Sequence, residues 1–223
     1  MWFYIEGNIG SGKSTLCRLL NEIMEDVEVI YEPVDQWRSV KDDITGKNIL
    51  ESFYEDQYRW SYALQMYTFH TRMREIMKPQ EKSVRFVERS IYTDKYVFAK
   101  SLTDTGRMTT LEWNMYCDLF QWLSEDCYKK TDKPSGFIYI RADPETSYKR
   151  MVKRERMEEK CVPIEYLRNI CKYHDDWLLS DKYKDNVLII DVNEDFENNL
   201  DFLNEIKQRI IDFIQHKKDK KTL

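Results

Sequence analysis

Eight residues near the N-terminus constrain the fold of this chain more than any other feature. The segment Gly7-Asn8-Ile9-Gly10-Ser11-Gly12-Lys13-Ser14 fits the pattern G-x-x-x-x-G-K-[ST] and contains three of the six glycines. An apolar run at Trp2–Ile5 precedes it, and Ser14–Asp26, with leucines at helical spacing, follows it. A strand, a glycine-rich turn and a helix in this order surround phosphate oxygens with backbone N–H groups. We therefore predict a nucleoside triphosphate site at residues 7–15.

Two side chains of this loop have defined chemistry in such sites. Lys13 reaches the β- and γ-phosphates of the triphosphate, where it stabilises the charge of the transferring group. The hydroxyl of Ser14 joins the ligand shell of Mg²⁺. The loop predicts a phosphate donor, but it leaves the acceptor to be found elsewhere in the chain.

The rest of the chain alternates between short apolar runs and longer helical patterns. Four further runs predict strands, at Glu28–Tyr31, Val84–Val87, Phe137–Ile140 and Val187–Ile190. The helical patterns cover Ile49–Met77, as one or two helices, and Ile91–Leu102, Leu111–Tyr128, Glu145–Glu159, Ile164–Leu179 and Leu200–Gln215. Five short runs separated by helices predict an α/β fold, in which a parallel sheet is covered on both faces. We expect one domain over residues 1–223, with a polar loop at 36–48 and a frayed basic tail at 217–223.

Composition excludes several classes of function. The net charge of −5 argues against a nucleic-acid partner or a membrane-surface binder. No apolar run approaches the ~20 residues of a membrane helix. The sequence before the glycine-rich loop has no basic or signal-type segment, so we expect a cytoplasmic protein, in the host cytoplasm if the source is viral.

Charged residues follow three of the predicted strands, at Glu32, Glu88-Arg89 and Arg141. Ligands of open α/β sheets bind beyond the carboxyl ends of the strands. A carboxylate beside a bound γ-phosphate is costly unless it accepts a proton or holds Mg²⁺. We therefore expect the acceptor at this edge. A basic cluster on one predicted helix and its end is either a solvated face or a lid that clamps phosphate, and the triphosphate loop favours the lid: Lys149, Arg150, Lys153, Arg154 and Arg156.

With these features the chain resembles the deoxynucleoside kinase family, most closely its deoxycytidine/deoxyguanosine kinase branch. The resemblance covers nearly the whole chain. It rests on Ile5–Gly10, Glu32-Pro33-Val34, Arg59-Trp60-Ser61-Tyr62, Glu88-Arg89-Ser90-Ile91-Tyr92, Pro163–Leu167 and Asp191–Phe196.

The resemblance implies a P-loop kinase fold with a five-stranded parallel sheet, a homodimer formed through long helices, and 5′-phosphorylation of a deoxynucleoside by ATP with Mg²⁺. It assigns Glu32 as general base near the acceptor 5′-hydroxyl, with Arg89 at the 5′-oxygen and Lys13 at the phosphates. Glu88, together with Ser14, is tied to Mg²⁺, and Glu88 is the alternative base. The implied donor site comprises Gly7, Asn8, Ile9, Gly10, Ser11, Gly12, Lys13, Ser14, Thr15, the lid arginines Arg150, Arg154 and Arg156 (lid, about 150–159), and Glu194, Asp195 and Phe196.

The same resemblance implies where the acceptor lies. Tyr54 and Glu159 would hold the sugar 3′-hydroxyl, and Gln65 would read the edge of the base. The implied acceptor site comprises Glu32, Val34, Trp37, Tyr54, Gln65, Thr68, Arg72, Arg89, Asp94, Phe98 and Glu159.

The choice of base depends on Arg72 and Asp94. They match a pair found in relatives that take cytosine or purines, and together they offer donors and acceptors to a base edge. Thymine presents a carbonyl where cytosine presents an amino group, so we expect deoxycytidine or a purine deoxynucleoside to be favoured over thymidine. Thr68 leaves cytosine, guanine and adenine open.

Two other functions fit parts of the sequence. A thymidylate-type nucleoside monophosphate kinase also has an acidic residue before Pro33, but an arginine would precede it where this chain has Tyr31. A GTPase-like switch would use Asp43-Ile44-Thr45-Gly46 as its D-x-x-G motif, yet no strand precedes it and N-K-x-D is absent. A lone carboxylate beside the acceptor suits a neutral hydroxyl better than a phosphate dianion, which favours a nucleoside acceptor.

Overall fold

The centre of the molecule is a five-stranded, entirely parallel sheet in the order β2-β3-β1-β4-β5. A computed structural model describes residues 1–130 and 133–222, with side chains for 1–124 and 133–220. The strands are β1 (Trp2–Glu6), β2 (Val27–Ile30), β3 (Val84–Glu88), β4 (Gly136–Arg141) and β5 (Val187–Asp191). This arrangement confirms the predicted α/β fold, and it places the ends of β1, β2 and β3 side by side.

Helices connect every pair of consecutive strands, and a last helix follows β5. They are α1 (Lys13–Ile23), α2 (Val34–Ser39), α3 (Ile49–Glu55), α4 (Gln57–Ile76), α5 (Ile91–Thr93), α6 (Lys100–Asp104), α7 (Thr110–Lys130), α8 (Pro144–Lys153), α9 (Ile164–Leu178) and α10 (Leu200–Thr222). Short 3₁₀ turns lie at Met157–Glu159 and Lys184–Asn186. The predicted pattern at 49–77 is two helices, because Asp56 ends α3 and caps α4, accepting from Arg59 N at 3.1 Å.

Each face of the sheet packs on its own apolar core. Successive side chains of β1 alternate between the faces, with Tyr4 on one side and Phe3 and Ile5 on the other. The core beside Tyr4 includes residues of α4, α7 and α9, and the opposite core includes residues of α1 and α10. Both faces are therefore covered, as in parallel sheets generally, and the open edge at the strand ends is left for a ligand.

Part of the predicted polar loop at 36–48 is helical. Helix α2 begins after Pro33, whose fixed φ suits a helix start, and it buries Trp37 to 5% exposure. Six residues are too few to show a helical period in the sequence. The helix nevertheless presents Trp37 and Arg38 beside the strand ends.

The predicted helix at 91–102 is interrupted by a π-helical segment at Asp94–Ala99, which lies between α5 and α6. Such segments are frequent at functional sites because the extra residue per turn redirects side chains. Asp94 and Phe98, both predicted acceptor residues, belong to this segment.

The prediction of a frayed tail from residue 217 is wrong for its first part. Helix α10 continues to Thr222, and the Lys217 side chain is 7% exposed. Its Nζ donates to the carbonyl of Asp185 at 2.7 Å and to Oδ1 of Asn186 at 2.6 Å. These contacts hold the helix against the turn before β5, while Leu223 lies outside the described residues. No helix in the described part of the chain is long and apolar enough to cross a membrane.

Candidate active site

A cavity of about 740 Å³ lies at the carboxyl ends of the strands. It runs from the glycine-rich loop to α4 and α5–α6, and the lid segment borders it. The predicted residues that line it are Ile9, Gly10, Gly12, Lys13, Ser14, Thr15, Glu32, Val34, Trp37, Tyr54, Gln65, Thr68, Arg72, Glu88, Arg89, Asp94, Phe98, Arg150, Arg154, Arg156, Glu159, Asp195 and Phe196. The structure thus brings nearly all of the predicted donor and acceptor residues to one cavity. Gly7, Asn8, Ser11 and Glu194 are predicted site residues that are absent from its lining.

The glycine-rich loop needs glycine for conformation and for space. Gly10 and Gly12 have φ values of 78° and 98°, in the left-handed region that L side chains rarely adopt. A Cβ on Gly12 would lie 2.9 Å from Cζ of Phe196, so this contact also requires glycine. The loop therefore packs directly against the segment predicted to lie beside the donor base.

Lys13 is held by the loop itself. Its Nζ donates to the carbonyls of Asn8 at 2.6 Å and Gly7 at 3.1 Å. Burial, followed by the charge of Arg89, lowers the pKa of Lys13 to about 7, although Glu88 and Glu32 act in the opposite direction. A polyanion near Nζ would stabilise the ammonium form. A phosphate bound beside Nζ would therefore raise the pKa of Lys13 again.

Asn8 anchors the loop from outside the cavity. Its Nδ2 donates to the carbonyl of Leu167 on α9 at 2.9 Å, and its Oδ1 accepts from Ile9 N at 2.8 Å. The position of Asn8 is explained by these contacts, which fix the loop on α9.

Ser14 and Glu88 provide a pair of hard oxygen ligands. The Ser14 hydroxyl donates to Oε1 of Glu88 at 2.6 Å, at the start of α1 beside the loop. No group of three His, Cys, Asp or Glu side chains among the described residues could hold a metal. Mg²⁺ in nucleotide sites takes few protein ligands and completes its shell with phosphate oxygens and water. The Ser14–Glu88 pair fits that requirement, and bound Mg²⁺ would neutralise charge on the phosphates.

Glu32 is surrounded by cations. Its Oε1 lies 2.5 Å from Nη2 of Arg72 and 3.3 Å from Nε of Arg89. Burial alone would raise the pKa of Glu32, but Arg72, Arg89 and Lys13 lower it to about 2. The carboxylate is therefore ionised at neutral pH and can accept a hydrogen bond from a hydroxyl.

Arg89 crosses from β3 to the glycine-rich loop. Its Nη1 donates to the carbonyl of Gly7 at 3.0 Å, and its guanidinium lies 5.1 Å from the ring centre of Phe98. The residue has a φ of 62°, which costs energy for a side chain of this size. This conformation turns the guanidinium towards both Glu32 and the loop.

The far end of the cavity is polar and buried. Nε of Arg72 donates to both oxygens of Asp94, at 3.1 and 3.0 Å, as the sequence predicts for this pair. Burial raises the pKa of Asp94 to about 6, although Arg72 acts to lower it. Gln65 is 4% exposed, and its Oε1 has no hydrogen-bond partner among the residues whose side chains are described. An unpaired buried amide is costly, and a ligand with a complementary edge would remove that cost.

The aromatic wall of this end comes from α2. Nε1 of Trp37 donates to Oγ1 of Thr71 at 2.9 Å, and the guanidinium of Arg72 lies 5.2 Å from the Trp37 ring centre. Thr68 lies one turn before Arg72 on α4, where its hydroxyl donates to the carbonyl of Gln65 at 3.1 Å. Trp37 and Phe98 both line the cavity and give it an apolar aromatic surface.

The lid (residues 150–159) crosses the cavity with its charges paired. Nη2 of Arg154 lies 2.7 Å from both oxygens of Glu159, and Nη1 of Arg156 lies 3.5 Å from Oε1. Two predicted donor residues therefore contact a predicted acceptor residue. Tyr54 lines the cavity beside this cluster.

Arg150 serves a different contact. It donates to the backbone carbonyls of Val192 at 2.7 Å and Glu194 at 2.9 Å. The Asp195 carboxylate accepts from Glu197 N at 2.9 Å, which orders the same loop. Arg150 thus joins α8 to the loop that carries the predicted donor-base residues.

Comparison with known proteins decides the family. The family description "Deoxynucleoside kinase" matches residues 3–215. The chain belongs to the deoxynucleoside kinase family.

Several members of the deoxynucleoside kinase family are similar over most of their length. Deoxycytidine kinase of Bos taurus is 36% identical, with 94% of this chain and 89% of that protein covered. Deoxycytidine kinase of Homo sapiens is 37% identical, with 89% and 86% covered. Mitochondrial thymidine kinase 2 of Homo sapiens is 35% identical, with 93% and 76% covered. The chain is therefore a kinase that phosphorylates nucleosides.

Some cavity residues of this deoxynucleoside kinase were missed by sequence reasoning. Tyr31, Asp35, Arg38 and Tyr166 line the cavity. Tyr166 lies in the segment Pro163–Leu167, which the resemblance already includes, so proximity to that motif could have indicated it. No sequence feature indicated that Arg38 lies in the site, because its segment was predicted to be a loop. Arg141 does not line the cavity and pairs with Asp175 at 2.9 Å.

Proposed function

We propose that this chain transfers the γ-phosphoryl group of ATP to the 5′-hydroxyl of a deoxynucleoside, with deoxycytidine or a purine deoxynucleoside favoured over thymidine. The observation that carries the proposal is the order of groups along one cavity. Lys13 and Arg89 both donate to the carbonyl of Gly7 in the glycine-rich loop, Arg89 pairs with Glu32, and Arg72 joins Glu32 to Asp94. Glu32 therefore lies between the glycine-rich loop and Asp94. A phosphate donor and a nucleoside acceptor require that order.

Glu32 and Arg89 would act where the phosphoryl group is transferred. The ionised Glu32 accepts a hydrogen bond from the 5′-hydroxyl and takes its proton as the bond to phosphorus forms. Arg89, 3.3 Å from Glu32, stabilises negative charge on the transferring group. Lys13 holds the donor phosphates, and the leaving diphosphate remains in the glycine-rich loop.

Mg²⁺ bound at Ser14 and Glu88 would supply charge neutralisation at the phosphates. The described residues provide few ligands for it, so the nucleotide would carry most of the shell. The lid arginines Arg154 and Arg156 would approach the same phosphates once their pairing with Glu159 is exchanged.

The base preference is supported by the buried pair at the far end. Asp94 accepts hydrogen bonds, so it suits the amino group of cytosine or adenine and opposes the carbonyl of thymine. The similar proteins are named for both deoxycytidine and thymidine, so their names leave this choice open. The Arg72–Asp94 pair supports our proposal of cytosine or a purine.

We also propose a cytoplasmic homodimer. Among the side chains that the structure describes, exposed apolar residues lie on the long helices α4 and α7, with exposures of 73%, 70%, 51% and 60% for Tyr58, Leu111, Met115 and Trp122. Leu111, Met115 and Trp122 share one face of α7 by spacing. Pairing of these helices between two copies would cover them.

A panel of substrates tests the proposal. Purified chain is incubated with Mg²⁺–ATP and each deoxynucleoside in turn, and products are separated by chromatography. We expect a 5′-monophosphate and ADP only when an acceptor is present, with kcat/KM for deoxycytidine or a purine at least ~10-fold above that for thymidine. Hydrolysis of ATP or GTP without an acceptor, or phosphorylation of a monophosphate alone, would contradict it.

A further inference from the structure

One ion pair joins the lid to the acceptor side of the cavity. Nε and Nη2 of Arg38 on α2 donate to Oε1 of Glu158, over 2.8 and 2.5 Å. Glu158 belongs to the 3₁₀ turn Met157–Glu159 and lies 120 residues further along the chain. The pair therefore connects α2 to the 3₁₀ turn of the lid, two segments that are far apart in the sequence.

The environment makes Glu158 dependent on Arg38. The Glu158 side chain is only 9% exposed, and that of Arg38 is 36% exposed. Burial acts to raise the pKa of Glu158, but its own backbone N–H and Arg38 lower it overall. Asp35 also lies 3.5 Å from Nη1 of Arg38, yet its side chain is 99% exposed and contributes little. Without Arg38, a largely buried carboxylate would lose its guanidinium partner.

The pair lies next to residues that line the cavity at its predicted acceptor end. Arg38 lines the cavity and directly follows Trp37, which forms the wall beside Arg72. Glu158 directly precedes Glu159, which lines the same cavity from the lid and pairs with Arg154. Separation of Arg38 from Glu158 would move the lid away from α2 and open this end of the cavity.

We propose that Arg38 and Glu158 form a latch that holds the lid closed over the acceptor and sets the rate at which the deoxynucleoside leaves. The identity of the ligand in this statement rests on the proposed function. Neither side chain touches the reacting atoms, so both are positioning residues. We expect loss of the latch to speed dissociation of the deoxynucleoside and to leave the binding of ATP nearly unchanged.

The first experiment tests the latch without any substrate. Hydrogen–deuterium exchange is measured on the backbone amides of residues 154–162 in the ligand-free chain and in the variants Arg38→Gln and Glu158→Gln. We expect exchange in this segment to be about 10-fold faster in each variant, because the closed lid has lost its charge-assisted hydrogen bonds. Arg168→Gln is the matched control, since Arg168 pairs with the exposed Glu145 and Glu165 outside the cavity.

The second experiment connects the latch to the acceptor. The dissociation rate of deoxycytidine, or of the best acceptor in the panel, is measured by displacement, and KM is measured for both substrates. Each single variant should release the acceptor about 10-fold faster, while the KM for ATP stays within about 2-fold. The double variant Arg38→Gln/Glu158→Gln should equal the single variants, because the pair is already broken in each. The exchanged pair, Arg38→Glu with Glu158→Arg, should restore slow release.

The outcomes separate this inference from the proposed function. Unchanged exchange at 154–162 overturns the latch, whatever the substrate proves to be. Faster amide exchange at 154–162 with an unchanged dissociation rate of the acceptor also overturns it. Equal changes in the binding of the acceptor and of ATP overturn it too, because the pair would then stabilise the lid without controlling release of the acceptor. Failure of the unmodified chain to phosphorylate any deoxynucleoside overturns the proposed function instead, and the exchange experiment still decides whether the pair closes the lid.

Discussion

Arg72 contacts two carboxylates at once, and this shared cation joins the two ends of the acceptor site. Its Nε faces Asp94 and its Nη2 faces Glu32. Both carboxylates are nearly buried, so each depends on the guanidinium for compensation of its charge. If Asp94 reads the base and Glu32 receives the 5′-hydroxyl, as we propose, a change at either carboxylate alters the surroundings of the other.

The role of Glu32 can be tested by a near-isosteric change. Glu32→Gln should lower kcat by about 10²- to 10⁴-fold and leave the binding of nucleoside and ATP largely intact, because the amide cannot take the proton. Steady-state kinetics and calorimetric titration measure these quantities. Asp35→Asn is the control, since that carboxylate is exposed at the cavity mouth. Near-normal turnover of Glu32→Gln would transfer the role of base to Glu88.

The proposed base preference depends on Arg72 and Asp94 together. Replacing them by Met and Ala removes both charges, so no buried charge of this pair is left alone. We expect the ratio of kcat/KM for deoxycytidine or the preferred purine over thymidine to fall towards one. Thr68→Ala, which leaves the pair in place, should retain discrimination against thymidine. A preference of the unmodified enzyme for thymidine would contradict this interpretation of the pocket.

Glu6 gives the molecule a pH-dependent stability. Its carboxyl is fully buried at the end of β1, where Oε2 accepts from the Thr93 hydroxyl and Oε1 has no hydrogen-bond partner among the described side chains. Burial raises its pKa from 4.5 to about 7, although Ser90, Thr93, Arg89 and Arg72 act to lower it. Between these two values the unfolded chain loses its proton and the folded chain keeps it, so stability falls as the pH rises.

The variant Glu6→Gln should remove this contribution. The free energy of unfolding of the unmodified chain, relative to the variant, should fall by about 1.4 kcal/mol for each pH unit between about pH 5 and pH 7. Above pH 7 the difference should become constant, since both states are then ionised. Urea unfolding at several pH values measures it, with the exposed Glu25→Gln as control. A pH-independent difference would show that Glu6 titrates alike in both states.

At the scale of elements, the charges of the lid arginines are paired with a carboxylate of the lid itself, Glu159. Arg154 and Arg156 both contact Glu159. If the lid arginines bind the donor phosphates, as we propose, those phosphates would compete with a carboxylate for the same guanidinium groups. If the acceptor hydroxyl engages Glu159, the arginines become available to the donor. This exchange would favour assembly of the catalytic site only when both substrates are present.

Removal of one lid arginine tests its contact with the donor. Arg154→Ala should lower kcat by about 10²-fold or more, with a much smaller change in the dissociation constant of the deoxynucleoside, because the charge acts on the transferring group. Lys160→Ala, an exposed change close to the lid, is the control. Equal turnover of the two variants would favour the alternative that the basic cluster is a solvated face.

Pattern alone predicted the strands and the long helices well and the short helical segments poorly. The five strands and the glycine-rich loop follow from apolar runs and from glycine positions. Helix α2 and the π-helical segment Asp94–Ala99 do not, because their six-residue lengths show no period and their conformations depend on tertiary contacts such as Trp37 with Thr71. The buried end of α10 was missed for a similar reason. A run of basic residues is typical of a solvated tail, and only the tertiary contact of Lys217 with the turn before β5 buries it.

At the scale of the whole molecule, strand order explains why the site could be assembled from the sequence. Parallel strands bring Glu32 and Glu88-Arg89 to the same edge as the glycine-rich loop, so residues far apart in the chain converge. The pairings within the cavity, such as Arg72 with Glu32 or Arg38 with Glu158, could not be predicted. They depend on which side chains meet across the edge, and sequence order carries no information on that.

Association of two copies can be tested on α7. Trp122→Glu places a charge on a 60% exposed apolar side chain, and it should convert a dimer into a monomer at micromolar concentration because a charge would be buried at the interface. Sedimentation velocity measures the change. Leu200→Glu, at a 69% exposed position on α10, is the matched control and should leave the dimer intact. A monomeric unmodified chain would exclude the homodimer.

The position of Trp37 makes the acceptor cavity optically accessible. Its indole is buried to 5% exposure, donates to Thr71 and lies beside the cation of Arg72. Indole emission responds to nearby charge and to aromatic stacking, and a nucleobase bound beside Trp37 in this cavity would change both. Among the tryptophans of the described ranges, Trp37 is the one that lines this cavity. We therefore expect the fluorescence of Trp37 to change when the acceptor binds, so that binding can be followed in real time without a label.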